Sequence, residues 1–425
     1  MNGQPTAENT RECGADGDLT GFRNWANDSH AEELAQLWNL EPIKIPHYGP
    51  PTHLMQMLRY AENGTLRFLW ISATNPMVSL PELRRVRSIL GQERLFVIVQ
   101  DAFATETTEF ADVVLPAAMW GEKTGTFTNA DRTVHLSEQA VAPPGEARSD
   151  LDIFLDFARR MDFRDRYGAP FPAWDDPESA FEAWKRASAG RPCDYTGLTC
   201  AKLREAGAIQ WPCNEDNPEG TERLYTDGKF FAQPDYCESY GRDLITGAPA
   251  ESTEYRAWNP DGKAMLKAAE YTNPHELPDA DYPFRLITGR TIFHFHTRTR
   301  TARAPQLQAA APEVWAEISR HDAEAAGIAD GEMAEIATPR GVVHAKARIG
   351  GIRDGVLFLP FHYGYWDTDQ VEGDRAANEL TFTDWDPVSK QPLFKTGAAA
   401  LRKAAATRPE AIRPRASTSV TEEAG

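Results

Sequence analysis

The densest set of chemically capable side chains is Thr288-Gly-Arg-Thr-Ile-Phe-His-Phe-His-Thr-Arg298. Backbone amides near Gly289, with Arg290, His294, His296, Thr297 and Arg298, form a cationic donor cluster suited to phosphates. His294 and His296 stand two apart and share one face if the segment stays a strand. A metal pair is then possible, with no third ligand nearby in sequence. Either histidine alone reads equally as a satisfied structural residue. A second set sits where apolar runs end: Asn75 after the first, and Gln100 with Asp101 closing the second. Asn donates and accepts in one contact, and an aspartate can take paired donors from a base or a ribose hydroxyl. Turn chemistry explains the same residues. Trp120 to Arg132 places Lys123, Thr126, Thr128, Asn129 and Arg132 on one Gly-punctuated loop, either an anion-binding surface or a solvated hairpin. Ser149 or Asp150 can cap the helix that follows. Phe361, His362, Asn378 and Lys395 are isolated in spacing; a core Phe and a surface Lys are the ordinary readings.

The elements that must position these residues fall into two textures. Leu66 to Ala73, Arg94 to Gln100 and Asp112 to Leu115 read as buried strands separated by helical segments, including Leu80 to Leu90. That order predicts a doubly wound α/β layer, with ligands beyond the carboxyl ends of its strands. No strand leads into Gly-x-Gly-x-x-Gly, which disfavours an ordinary nicotinamide-binding unit. Upstream, Ala31 to Trp38 has helical spacing with Asp28 or Ser29 as its cap, and Thr52 can cap a helix through Ala61. Asp150 to Met161 is amphipathic. Residues 166–278 are rich in Pro, Gly, Trp and charge, and read as an irregular connection wrapped on the surface. From residue 279 the texture changes to short strands (284–288, 314–318, 333–337, 342–348, 355–359) with Gly turns, as in a closed β barrel. Asp322 to Gly327 is a helical turn ended by glycine. Residues 404–425 are expected to be disordered.

Composition excludes several classes. The 425 residues carry 25% charged side chains and a formal charge of -18, which disfavours nucleic acid. No apolar run approaches the ~20 residues of a membrane span, and Met1-Asn-Gly-Gln-Pro5 opens no secretory signal, so a cytoplasmic location is expected. The five cysteines (Cys13, Cys193, Cys200, Cys213, Cys237) lack the compact spacing of an iron–sulfur site and read as free thiols. No metal ligand set is assigned.

Asp384-Trp-Asp-Pro-Val-Ser-Lys-Gln-Pro-Leu-Phe-Lys395, together with the 288–298 run, resembles the C-terminal domain of the molybdopterin oxidoreductases, such as nitrate reductases and formate dehydrogenases. Thr74 to Pro81, Val99 to Asp101, Ala111 to Ala117, Trp120 to Asn129 and Pro143 to Asp150 continue that resemblance in the family's order, from about Gly3 to Leu401. It implies an α/β domain (1–165, Rossmann-like and incomplete at its N-terminus), the connection 166–278, a double-psi β barrel (279–403) and the tail. It also implies molybdopterin guanine dinucleotide, bound by Asn75, Gln100, Asp101, Lys123 and Asp150 in the first domain. Thr288, Gly289, Arg290, His294, His296, Thr297, Phe361, Asn378 and Lys395 would serve in the second. The family's cysteine motif for a [4Fe–4S] cluster and its protein ligand to the metal are not in this sequence. The resemblance therefore implies the C-terminal portion of a catalytic subunit, inactive alone. Its partners would be the other part of the enzyme and an electron-transfer protein. The expected activity is nitrate reduction to nitrite, with formate dehydrogenase, or a non-catalytic pterin-binding module or remnant, as alternatives.

Overall fold

The structure, a computed structural model, describes residues 5–15, 19–25, 27–47, 52–229, 271–367, 374–386 and 390–405. Cys237 and the expected tail beyond residue 405 lie outside them. Element order is α1 (Pro5–Glu12), α2 (Asp28–Leu37), α3 (Leu54–Glu62), β1 (Phe68–Ser72), α4 (Pro76–Ser79), α5 (Leu83–Leu90), β2 (Phe96–Asp101), β3 (Val113–Pro116), β4 (Gly125–Thr128) and β5 (Thr133–Ser137). There follow α6 (Asp150–Arg160), α7 (Pro177–Ser188), α8 (Cys200–Ala206), β6 (Ile209–Gln210), β7 (Phe284–Gly289), β8 (Trp315–Ser319), β9 (Met333–Thr338), β10 (Gly341–Gly350), β11 (Val356–Pro360) and β12 (Gly397–Lys403). The chain forms two interleaved compact units, residues 1–52 with 116–269, and residues 53–115 with 270–425.

The second unit contains a sheet of order β1-β2-β3 and a closed barrel of order β10-β8-β11-β7-β12-β9. β1 and β2 are parallel, with Phe68 opposite Phe96 and Ser72 opposite Gln100. One face of this sheet is buried, through Ile71, Val97 and Val99, against Met55, Leu58 and Ala61 of α3 and Val86, Ile89 and Leu90 of α5. The i, i+3, i+7 spacing of Leu83, Val86 and Leu90 is what makes α5 a covering helix. β2 is buried on both faces from Val97 to Gln100, whereas β1 is only partly covered. Phe68 and Phe96, which open β1 and β2, are 46% and 45% exposed and stack on each other at 6.1 Å.

Alternation along β9 and β10 aims Ala334, Ile336, Val343, Ala345 and Ala347 into the barrel, where Ala316, Ile318, Leu357 and Leu359 meet them. The many alanines fit the narrow interior of a six-stranded closure. Parallel pairs β10–β8 and β11–β7 mix with antiparallel β10–β9, β12–β7 and β12–β9. The turn read at 322–327 is the helix Arg320–Ala326, capped by Ser319 and ended by Gly327 at φ 66°.

The first unit carries the hairpin β4–β5, extended by β6. Residues 177–213 are not a surface wrapping. Phe181, Tyr195, Leu198, Leu203, Ile209 and Trp211 build a core with Val134 of β5. Their spacing follows no single period because they come from two helices, a strand and loops. Glu12 ends α1 as a buried carboxylate that accepts from Tyr195 Oη at 2.7 Å, Thr128 Oγ1 at 3.1 Å and the Trp211 indole. Two caps differ from expectation. Asn27, one residue earlier, caps α2 by accepting from Ser29 N at 3.1 Å. α3 starts after His53 with no side-chain cap, so Thr52 does not fill that role. α6 is capped by Ser149, whose hydroxyl accepts from Asp152 N.

Candidate functional site

β7 ends at Gly289, so Thr288 to Arg298 is mostly loop. Gly289 is required there by space, because a Cβ would run into the Phe358 ring on β11. Beyond it His296 and Arg298 adopt left-handed backbone, at φ 44° and 65°. Such residues need surrounding structure to hold them. The two histidines do not share a face. His294 is buried, with one ring nitrogen 2.7 Å from Ala311 O and the other 3.0 Å from Thr301 Oγ1. Both of its ring nitrogens are thus already engaged within the protein. His296 is half-buried and sits within the field of Arg290 and Arg300; burial first, then those charges, lower its pKa.

Lys395 reaches the same place. Its Nζ donates to Thr288 O at 3.2 Å and stands 5.3 Å above the Phe361 ring. Burial, then Arg290, pulls its pKa down. Thr288 Oγ1 donates to Phe394 O at 2.7 Å, and Thr297 Oγ1 lies 3.0 Å from Thr299 Oγ1. Among the described residues no carboxylate forms an ion pair with Arg290, Arg300 or Lys395, whereas buried Arg298 is paired with Asp367 at 2.6 Å. The Thr291 hydroxyl and the Trp366 indole N–H are buried without a hydrogen-bond partner. The loop is therefore a surplus of positive charge and open donors, the chemistry that fits a phosphate or diphosphate.

At the carboxyl end of β2 stands Asp101. Burial raises its pKa, against the Phe103 and Ala102 amides and the charges of Arg300 and Arg303. Gln100 is buried and accepts from Trp70 Nε1 at 3.0 Å. Arg303 is held between two rings, 3.9 Å from Trp366 and 4.8 Å from Phe103, and donates to Ala104 O at 3.1 Å. Asn75 is only 4% exposed and already committed: its Nδ2 donates to Glu106 at 2.8 Å and its Oδ1 accepts from Thr107 at 2.7 Å. Glu106 also accepts from the amides of Tyr365 and Trp366. Asn378, likewise buried, donates to Val78 O at 2.8 Å, and its neighbour Glu379 takes a bidentate pair from Arg87 at 2.6 and 2.8 Å. Asn378 fastens the barrel segment to the sheet layer directly, whereas Asn75 holds Glu106, which in turn takes the Tyr365 and Trp366 amides.

Within the second unit the structure brings together Thr288, Gly289, Arg290, His296, Phe361 and Lys395, with Asp101 linked to them electrostatically through Arg300. Lys123 and Asp150 lie in the first unit and form an ion pair with each other. Sequence reasoning missed Glu106, Arg300, Arg303 and the role of His362. A signal for the arginines was present, since they extend the cationic run past Arg298.

A cationic loop without a paired carboxylate among the described residues, on a closed barrel and beside the strand ends of an α/β sheet, has the chemistry suited to a phosphate-bearing ligand. Residues 284–398 match the family model "Molydopterin dinucleotide binding domain" and residues 7–160 match "Molybdopterin oxidoreductase". A nitrate reductase of Symbiobacterium thermophilum is 36% identical over 409 residues, covering 95% of this chain and 50% of that protein. A nitrate reductase of Synechocystis sp. is 36% identical over 94% of this chain, and an F420-dependent formate dehydrogenase subunit alpha of Methanocaldococcus jannaschii is 36% identical over 80%. Acetylene hydratase from Pelobacter acetylenicus shares the fold, with a TM-score of 0.60 at 17% identity, over 95% of this chain and 56% of that one. The chain belongs to the molybdopterin oxidoreductase family, and it spans about half the length of the curated relatives it matches.

Proposed function

We propose that the second unit grips a molybdopterin guanine dinucleotide, one of the pair in a bis-dinucleotide cofactor. The observation that carries the reading is the set of cations at Arg290, Arg300 and Lys395 with no paired carboxylate among the described residues. Arg290, His296, Thr297, Lys395 and the backbone at Gly289 would hold phosphates. Gln100 and Asp101 would meet the nucleotide end, and Phe361 would exclude water. Asn75, Thr288, His294 and Asn378 would keep the walls in place, since their polar atoms are already bonded within the protein. Lys123 and Asp150, an ion pair within the first unit, are proposed as dinucleotide contacts of that unit. The barrel would be of the double-psi type, and the sheet part of a doubly wound, Rossmann-like domain.

The bound pterin metal supplies the redox chemistry in such enzymes, and the protein binds, orients and tunes it. The whole enzyme would reduce nitrate to nitrite. Nitrate reductases at 36% identity match 94–95% of this chain, against 80% for the formate dehydrogenase subunit. Formate oxidation is the second reading, supported by that relative's equal identity. A [4Fe–4S] cluster, the protein ligand to the metal and the contact to an electron-transfer partner would come from the part of the enzyme that this chain does not match. A cytoplasmic location belongs to the proposal as well; one relative is a periplasmic nitrate reductase. Among the described residues no helix is long and apolar enough to cross a membrane.

The test is complementation. The N-terminal half of the Symbiobacterium relative is co-produced with this chain, and viologen-driven nitrate reduction and formate oxidation are measured. Nitrate reduction should require both polypeptides. Turnover by this chain alone would refute the division of labour, and formate oxidation without nitrate reduction would favour the second reading.

A further inference from the structure

The left-handed loop after β7 has few backbone partners of its own, yet two of its groups are fastened by one buried ring. His362, directly after Phe361 at the end of β11, is fully buried. Its Nε2 accepts from Thr291 N at 2.8 Å, and its Nδ1 lies 2.6 Å from His296 O. Accepting at Nε2 requires the proton on Nδ1, so one neutral tautomer satisfies both. The two anchored residues are five apart and straddle the exposed Ile292 and Phe295. Thr291 follows Arg290, and His296 is itself one of the left-handed residues. We propose that His362 is the positioning residue of the phosphate-gripping loop, setting the separation of Thr291 and His296 and hence where Arg290 and the His296 ring present their donors.

The surroundings favour this neutral form. Burial, then the charges of His294, His296 and Arg290, holds the imidazole pKa to about 4. A charged ring would surrender the Thr291 bond and add repulsion to a site that gathers cations. Gly289 O accepts from Phe361 N at 3.1 Å, so the chain carrying His362 is joined to the loop's first residue too. The loop is thus tied to the end of β11 at Gly289, Thr291 and His296. The importance of this for ligand binding rests on the dinucleotide reading above; the mechanical claim does not.

The experiment separates the two. The full chain is prepared as wild type, His362→Phe, which keeps a ring without polar atoms, and His362→Gln, which carries one donor and one acceptor. Hydrogen exchange read by mass spectrometry follows the 289–298 peptide, with peptides of β9 and β10 as the internal control. Inorganic pyrophosphate is the binding probe. His362→Phe should speed exchange in the loop roughly 5- to 30-fold and weaken pyrophosphate by a similar factor. His362→Gln should recover most of both, and β9–β10 exchange should stay constant. Loop exchange unchanged in His362→Phe would overturn the proposal. So would a Gln variant as loose as Phe, because packing rather than bonding would then be the cause. If the wild type ignores pyrophosphate, the dinucleotide reading fails, while the exchange data still decide what His362 does.

Discussion

Gly289→Ala is the sharpest local perturbation the structure offers. Gly289 has ordinary strand backbone, so a methyl group there costs nothing in φ. The whole cost comes from space, since the new Cβ would overlap the ring of Phe358. Phe358 cannot retreat freely, because it packs on Trp315 at 5.4 Å. Forcing such an overlap costs about 1–3 kcal/mol. Phe358→Ala removes the obstacle at its own cost of about 2 kcal/mol, below the roughly 3–5 kcal/mol of a fully buried ring. In that background Gly289→Ala should cost under about 0.5 kcal/mol, giving a coupling of about 1–2 kcal/mol. Urea titrations of the four proteins of this cycle, followed by near-ultraviolet circular dichroism, read the difference. Equal costs for Gly289→Ala in both backgrounds, or no cost in either, would show that the glycine is not there for Phe358.

Other outcomes follow from the same geometry. His362 is held to about 4 against an ordinary 6.5, so the unfolded chain binds a proton that the folded chain refuses throughout that window. Stability should therefore fall as pH drops from 6.5 to about 4, by about 3 kcal/mol from this group, and level off below. His294 and His296 act in the same direction. His362→Phe should flatten the slope in urea midpoints between pH 7 and 4, and an unchanged slope would contradict the burial argument. In the first unit, Glu12→Ala would orphan the Trp211 indole and leave the Tyr195 hydroxyl to Thr128 alone, and cost about 2 kcal/mol or more, measured by calorimetry. A loss under about 1 kcal/mol would mean that water replaces the carboxylate. Arg290→Ala should weaken pyrophosphate binding and flatten its salt dependence; an equal salt slope would place the anion elsewhere.

Much of this was legible because period and punctuation are local signals. Short alternating runs and the glycine at 327 placed five of the six barrel strands and the helix Arg320–Ala326, while β12, the alanine-rich strand that closes the barrel, was not read as one. Apolar runs ending in Thr74-Asn75 and Gln100-Asp101 placed the parallel strands. The core around Tyr195 and Trp211 was not legible, because it is assembled from distant segments around Glu12, and long-range contacts leave no period. The same limit hid the fate of Asn75 and Asn378. Residue type said that an amide can bind a ligand; only the fold shows each amide spent on Glu106 or Val78. His362 stood alone in spacing and gained meaning only when β11 brought it under the loop.

The most direct measurement is the pterin content of the purified chain. It is produced in a host that makes the cofactor, denatured and oxidised, and the fluorescent pterin and released guanine nucleotide are quantified for wild type and for Arg290→Glu with Lys395→Glu. The account predicts pterin and nucleotide in the wild type and their loss in the folded double variant. A wild-type chain that retains neither, or a double variant that retains both, would contradict it.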